Sequence, residues 1–309
     1  MARTYAWATH AQVLYDHADV AWIGAIDRNV SALEALQAKY DLEWTATSAQ
    51  RGACQADIVV LATPPGERLA DLSAFRGVRG VVVEKPLGRN LEEAEAFADY
   101  CSDRNISVQV NYWRRSDRLF KSLAQGELEQ TIGEIQFING VFCNGFRNNA
   151  PHLVDFVRML GGEIVEVRSL SSGVTEGIAA IALKLKTGVV ATLHNVDAQR
   201  YRENGLDIWG RDGRLSLLVE GLVNRLELRQ ESRATVGDYE IAVDGSRLMP
   251  TTAGTALYDL WVNFLSHLEV GSPLDSPLHS ALITERVLAA VEQSHDDDGN
   301  AYSVRNHGL

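Results

Sequence analysis

The stretch that most constrains this chain is Gly80-Val81-Val82-Val83-Glu84-Lys85-Pro86-Leu87-Gly88. Three consecutive valines read as a strand buried on both faces, the kind found in the middle of a parallel sheet. At its carboxyl end stand an acid, a lysine and a proline. That end of an open α/β sheet is where ligands bind, in the crevice outside the strand termini. Pro86 locks its own φ and restricts Lys85, which places the lysine to work on a bound ligand. In isolation the same residues also read as a strand ending in a solvated charge pair and a turn, so the flanking sequence decides.

Strand and helix signals alternate on both sides of it. Ala11, Leu14, Tyr15 and Ala18 repeat at helical spacing, and a strand over residues 20–26 ends in Asp27. Leu33, Leu36 and Tyr40 mark a helix with Ser31 as its cap. A strand over residues 58–62 leads into Thr63-Pro64-Pro65. Asn90, followed by Glu92 and Glu93, reads as a capped helix start with acids suiting the dipole. Residues 107–110 form a further strand that ends at Asn111. The alternation predicts a Rossmann-type doubly wound parallel sheet, a dinucleotide-binding domain over residues 1–112. Such a fold opens with a strand, Gly-x-Gly-x-x-Gly and a helix, with an acid about 20 residues on. Asp27 is that acid, able to accept hydrogen bonds from ribose hydroxyls. The glycine loop falls by counting on residues 2–7, which contain no glycine. Two expectations stay open: a start upstream of Met1, or a chain that has lost part of its cofactor site.

Residues 113–309 change character. Alternating runs at 164–170, 178–185, 189–196, 206–209, 215–219 and 222–228 predict an antiparallel sheet with one face on a core. A helix is expected after Pro151, closing at Gly161-Gly162, and two helices around Leu260 and Val287 end the chain. This half reads as an α+β substrate and oligomerisation domain whose last helices are able to pack back on the first. With 309 residues, 46% of them hydrophobic, the chain can bury two cores. Its net charge of −12 argues against a general nucleic-acid or anionic-membrane binder. Cys54, Cys101 and Cys143 show neither metal-ligand spacing nor a disulfide framework, and Asp296-Asp297-Asp298 reads as a solvated loop, so no metal is expected. No run is long enough to span a membrane and no signal peptide is evident, which predicts a cytoplasmic protein.

Ala62-Thr63-Pro64-Pro65, then Val83-Glu84-Lys85-Pro86-Leu87-Gly88, then Asn148-Asn149-Ala150-Pro151-His152-Leu153-Val154-Asp155 together resemble the Gfo/Idh/MocA family over nearly the whole chain, the first strand and glycine loop excepted. The resemblance implies an NAD(P)-dependent oxidoreductase of sugars, sugar-nucleotides or cyclitols. It also implies a homodimer or homotetramer formed through the open sheet face. It places Thr63, Pro64 and Pro65 along the cofactor, and Glu84 and Lys85 beside the nicotinamide. Asn111, Tyr112 and Arg115 fall where a strand end enters the active site. Asn148 stands where many members carry an acid, and Ala150 replaces a glycine, so a variant site is implied.

Oxidising a secondary alcohol needs a hydride acceptor, a base and orientation. NAD would supply the first, with NADP also open because Arg28 stands beside Asp27. Lys85 or His152 can supply the second, His152 having the ordinary pKa nearer neutrality. Asn148 and Asn149 would orient substrate. Arg114 and Arg115 could clamp an anionic substrate, or pair with a carboxylate of the fold. The other histidines, His10 among them, read as structural or surface. A cofactor-lacking homologue that binds a sugar ligand or a protein partner is the alternative.

Overall fold

The computed structural model describes residues 9–49, 54–170, 177–199 and 201–304. The expectations for residues 1–8, including the position of the glycine loop, lie outside these. The valine stretch is the middle strand of a parallel trio, Ile58–Leu61, Gly80–Val83 and Ser107–Val110. Val81, Val82 and Val83 are each fully buried, as a strand covered on both faces requires. One cover is the helix Leu91–Asp103, capped by Asn90, whose side chain accepts from Glu93 N. The other is the late helix Ala256–Val270. Its Phe264 passes so close to Gly80 that a Cβ there would sit 2.8 Å from the ring.

The outer edge of this trio is covered by distant sequence: Val110 N donates to Ser276 O at 2.9 Å. The other edge, Ile58–Leu61, has no second strand partner among the described residues. A separate parallel pair, Gly24–Ile26 with Trp44–Ala46, faces it. A cavity of about 840 Å³ lies between the two pieces, lined by both strands and by His10, Trp22, Trp44 and Trp261.

Two local expectations change. The strand before Asp27 spans only Gly24–Ile26, the residues that find a ladder partner in Trp44–Ala46. The helix Val30–Lys39 is capped by Asn29 rather than Ser31, because Asn29 Oδ1 reaches the N–H groups of Ser31 and Ala32 at 3.0 and 3.3 Å.

The second half is a ten-stranded, mostly antiparallel sheet among the described residues. Its centre is Ile135–Cys143, paired antiparallel to Gly205–Gly210 and parallel to Val190–Val196. The helices Phe146–Gly161 and Leu278–Asp296 cover one face, and Ile138, Leu193, Ile208, Val154, Val157 and Val287 share that core. The helix expected after Pro151 begins five residues earlier, at Phe146. Pro151 is therefore the sixth residue of the helix and lies inside it, where its ring leaves the Arg147 carbonyl without the usual i→i−4 donor. The Leu278–Asp296 helix spans both halves: Ala281 and Leu282 join the core of the parallel trio, while Val287 and Val291 join that of the large sheet. No helix of the described residues is long and apolar enough to cross a membrane.

Candidate active site

The ladder delivers two side chains to one point. Glu84 N donates to Leu61 O and Asn111 N to Val83 O, so Glu84 and Asn111 leave adjacent strand ends together. Asn111 Nδ2 donates to Glu84 Oε1 at 2.7 Å. His10 Nε2 lies 3.3 Å from the same oxygen, and Trp261 Nε1 donates to His10 Nδ1 at 3.1 Å. An indole N–H can only donate, so the His10 proton belongs on Nε2, facing the carboxylate. Burial pushes the Glu84 carboxyl up. The hydrogen bonds from His10 and Asn111 and the Lys85 charge outweigh it and leave Glu84 below its ordinary value. His10, read from the sequence as structural or surface, is thus brought onto the Glu84 carboxylate. The link joins residues 251 positions apart through Trp261, and nothing local in the sequence marks it.

Lys85, half-buried, turns away from Glu84. Its Nζ donates to Asn148 O at 2.5 Å and lies 3.5 Å from Asn148 Oδ1. Burial pushes the ammonium down, and the Arg68 and Arg114 charges add to this against Glu84 and Glu220. Gly88 closes the turn because a Cβ there would lie 2.6 Å from Ala94 N and 2.7 Å from Asn90 O, both backbone. Arg68, itself buried, donates to Thr63 O and Pro86 O and so ties the two loops together.

The start of the Phe146–Gly161 helix forms the opposite wall. Asn148 is exposed, but Asn149 is buried with Nδ2 on Cys143 Sγ, 3.8 Å away. His152 packs edge-on against Tyr112, ring centres 6.1 Å apart. Burial and the charges of Lys85 and Arg114 push His152 well below its ordinary value, so it is neutral where the sequence suggested a group titrating near neutrality. Glu220, which the sequence did not single out, approaches from the large sheet. Its carbonyl accepts from Arg114 Nη2 at 3.3 Å. Val219 and Glu220 both hold positive φ, 51° and 60°, and left-handed backbone at a β-branched residue is a strained setting of the kind that gathers at functional sites.

Arg115 holds both oxygens of Asp155 through Nε, at 3.0 and 2.8 Å, which is the fold-carboxylate alternative for this residue. Asp155 is 2% exposed and keeps Arg158 at 3.5 Å and the Thr284 hydroxyl at 3.3 Å, so Arg115→Ala removes one of its two cationic partners. The variant is expected to lose about 2 kcal/mol in denaturant melts while nucleotide affinity stays unchanged.

Of the residues expected from the sequence to hold a nucleotide, Asp27, Arg28 and Thr63 border the groove between the sheet pieces. Pro64 and Pro65 lead the neighbouring turn Pro65–Glu67. Asp27 is exposed, its Oδ1 accepting from Asn29 N at 2.8 Å. Arg28 pairs with Glu67 at 2.7 Å. Thr63 Oγ1 and Asn111 Oδ1 are buried without a partner among the described residues. Polar atoms orphaned at strand ends are what a ligand rich in hydroxyl and amide groups would satisfy, so these residues fit a nicotinamide dinucleotide.

A family model described as an oxidoreductase family with an NAD-binding Rossmann fold matches residues 4–112. That match to the Gfo/Idh/MocA family covers about a third of the chain. Among curated relatives, an inositol 2-dehydrogenase of Rhizobium meliloti (strain 1021) is 25% identical over 154 residues, covering 50% of this chain and 46% of the relative. A 1,5-anhydro-D-fructose reductase of Ensifer adhaerens is 21% identical over 224 residues, covering 63% of this chain and 66% of the relative. The sequence matches therefore span between about half and two thirds of these curated relatives. A solved oxidoreductase from Agrobacterium radiobacter, in complex with NAD+, L-tartaric acid and magnesium, superposes with TM-score 0.73 at 16% identity, covering 95% of this chain and 94% of that one. At that identity the likeness shows the fold.

Proposed function

We propose that this chain is an NAD(P)-dependent dehydrogenase or reductase acting on a secondary alcohol or ketone of a sugar, sugar-nucleotide or cyclitol. The observation that carries the reading is Lys85, its ammonium pushed down by burial and poised on Asn148 O, beside the Glu84–Asn111 pair at the carboxyl end of the central strand. A bound nicotinamide supplies the hydride acceptor or donor. Residues 1–112 hold the nucleotide, through Asp27, Thr63, Pro64, Pro65, Glu84 and Asn111. Residues 113–309 hold the substrate. Lys85 takes the hydroxyl proton in the oxidising direction and returns it in the reducing one. Neutral His152 orients the substrate hydroxyl as a hydrogen-bond partner, with Tyr112 behind it. Asn148 fixes Lys85, and the Glu220 charge favours the ammonium form of Lys85 from the side of the large sheet. NAD is favoured over NADP because Arg28 is already paired with Glu67.

The assembly proposed is a homo-oligomer through the open face of the large sheet. Phe137, Leu170 and Val190 stand exposed on that face, and Phe137 stacks on Trp209 at 5.6 Å.

Titration with NADH and NADPH, followed by fluorescence, tests the cofactor half of the reading. NADH is expected to bind the tighter, and Asp27→Ala to weaken it by about tenfold, as loss of a charged hydrogen-bond acceptor does. No binding of either nucleotide by the folded protein would favour the non-catalytic alternative. A sugar and cyclitol screen follows on the NADH-binding protein.

A further inference from the structure

We propose that Glu285 is a positioning residue of this site, one buried carboxylate that holds both walls of the Lys85–Asn148 contact. Glu285 lies on the Leu278–Asp296 helix, far from the loops it serves, and its side chain is fully buried. Its Oε1 accepts the Leu87 N–H at 2.8 Å, two residues beyond Lys85. Its Oε2 accepts from Arg147 Nη1 at 3.1 Å, one residue before Asn148. Arg147 spends the rest of its guanidinium on Glu292, on the same helix. The lysine turn and the asparagine turn belong to different halves of the fold, and this carboxylate joins them directly.

The chemistry requires an ionised acid. Two donors, a backbone N–H and a guanidinium, converge on the two oxygens, and both can be satisfied only while each oxygen accepts. A protonated carboxyl, or an amide of the same shape, turns one acceptor into a donor and must release one wall. The groups facing Glu285 are Arg68, Arg147, Glu292 and the buried Tyr112 hydroxyl. Asp155 and Arg158 reach the same helix at Thr284, the residue before Glu285. Burial pushes the Glu285 carboxyl up to about 7, against the Leu87 N–H and the Arg147 and Arg68 charges. The clamp should therefore loosen as pH falls through neutrality.

The proposal rests on Lys85 being the working group of the site, so its test reads Lys85 without turnover. The folded protein is acylated with limiting water-soluble N-hydroxysuccinimide acetate from pH 5.5 to 9, and Lys85 labelling is measured by peptide mass spectrometry relative to exposed Lys184. Glu285→Gln is expected to change the Lys85-to-Lys184 ratio at pH 8 by about fivefold, the scale of one lost buried hydrogen bond. It is also expected to erase an inflection near pH 7 that the wild type shows. Arg147→Gln, at a partly exposed residue, removes the other arm and should reproduce the change; it carries the test if Glu285→Gln does not fold. A ratio and pH profile identical to wild type in the folded variants, even with a lowered melting temperature, overturns the proposal. A labelling change in a folded protein that binds neither NADH nor NADPH supports it and sinks the dehydrogenase reading instead.

Discussion

Lys85→Met is expected to lower turnover by about a thousandfold while nucleotide affinity stays within a few-fold of wild type, the loss being that of a positioned acid–base group. Methionine keeps the length of the stem and removes the proton carrier. The Asn148 carbonyl it leaves lies in the first turn of a helix, exposed enough for water to replace the ammonium. Alcohol oxidation needs the neutral amine, so the rate should rise with pH and level off below the range of a free lysine, because burial, Arg68 and Arg114 push this group down. Arg114→Gln removes one of those charges and should move the limb to higher pH. The rate of ketone reduction, which needs the ammonium, should fall over the same interval. Steady-state rates from pH 6 to 10 check both signs. A Lys85→Met enzyme with ordinary turnover would remove Lys85 from the chemistry and leave His152 as the remaining candidate.

Trp261→Ala is expected to cost 3–5 kcal/mol, the range for deleting a large buried aromatic, and to lower the melting temperature by about 10 °C. Trp261 is fully buried among Val13, Leu14, Val82, Leu260 and Phe264, with the Phe264 ring edge-on at 6.0 Å. Trp261→Phe separates packing from chemistry. It keeps most of the volume but withdraws the N–H from His10 Nδ1, so its main effect should fall on activity through the freed His10–Glu84 contact. Calorimetry of both variants decides. A Trp261→Ala protein melting with the wild type would mean that the late helix is not part of the first core.

The valine strand was readable because burial on both faces leaves only one kind of residue, and the Glu-Lys-Pro end because backbone restriction and charge are local properties. Asn90 was readable as a cap for the same reason. Ser31 was misjudged because Asn29, two residues earlier, offers an equally suitable side chain, and only backbone geometry chooses between them. Arg115 could not be assigned from sequence: a guanidinium beside a pocket and one turned to Asp155 look alike until the Phe146–Gly161 helix is in place. His10, Glu220 and Glu285 were missed for a further reason. Each acts through a partner brought near by tertiary folding, 74 positions away for His10 with Glu84 and 198 for Glu285 with Leu87. The raised carboxyl of Glu285 and the lowered imidazole of His152 likewise arise from burial, which no residue pattern states.

The packing of Trp261, Phe264, Ala281 and Leu282 onto the amino-terminal sheet has a consequence for synthesis. A chain emerging from the ribosome cannot close its first core when residue 112 appears. At 5–20 residues per second, Phe264 follows roughly 8–30 s later. During that interval the parallel strands lack one of their covers, and a chaperone is the natural occupant of the uncovered face. Release of the finished chain, rather than completion of the first domain, is then the event that commits this protein to its native fold.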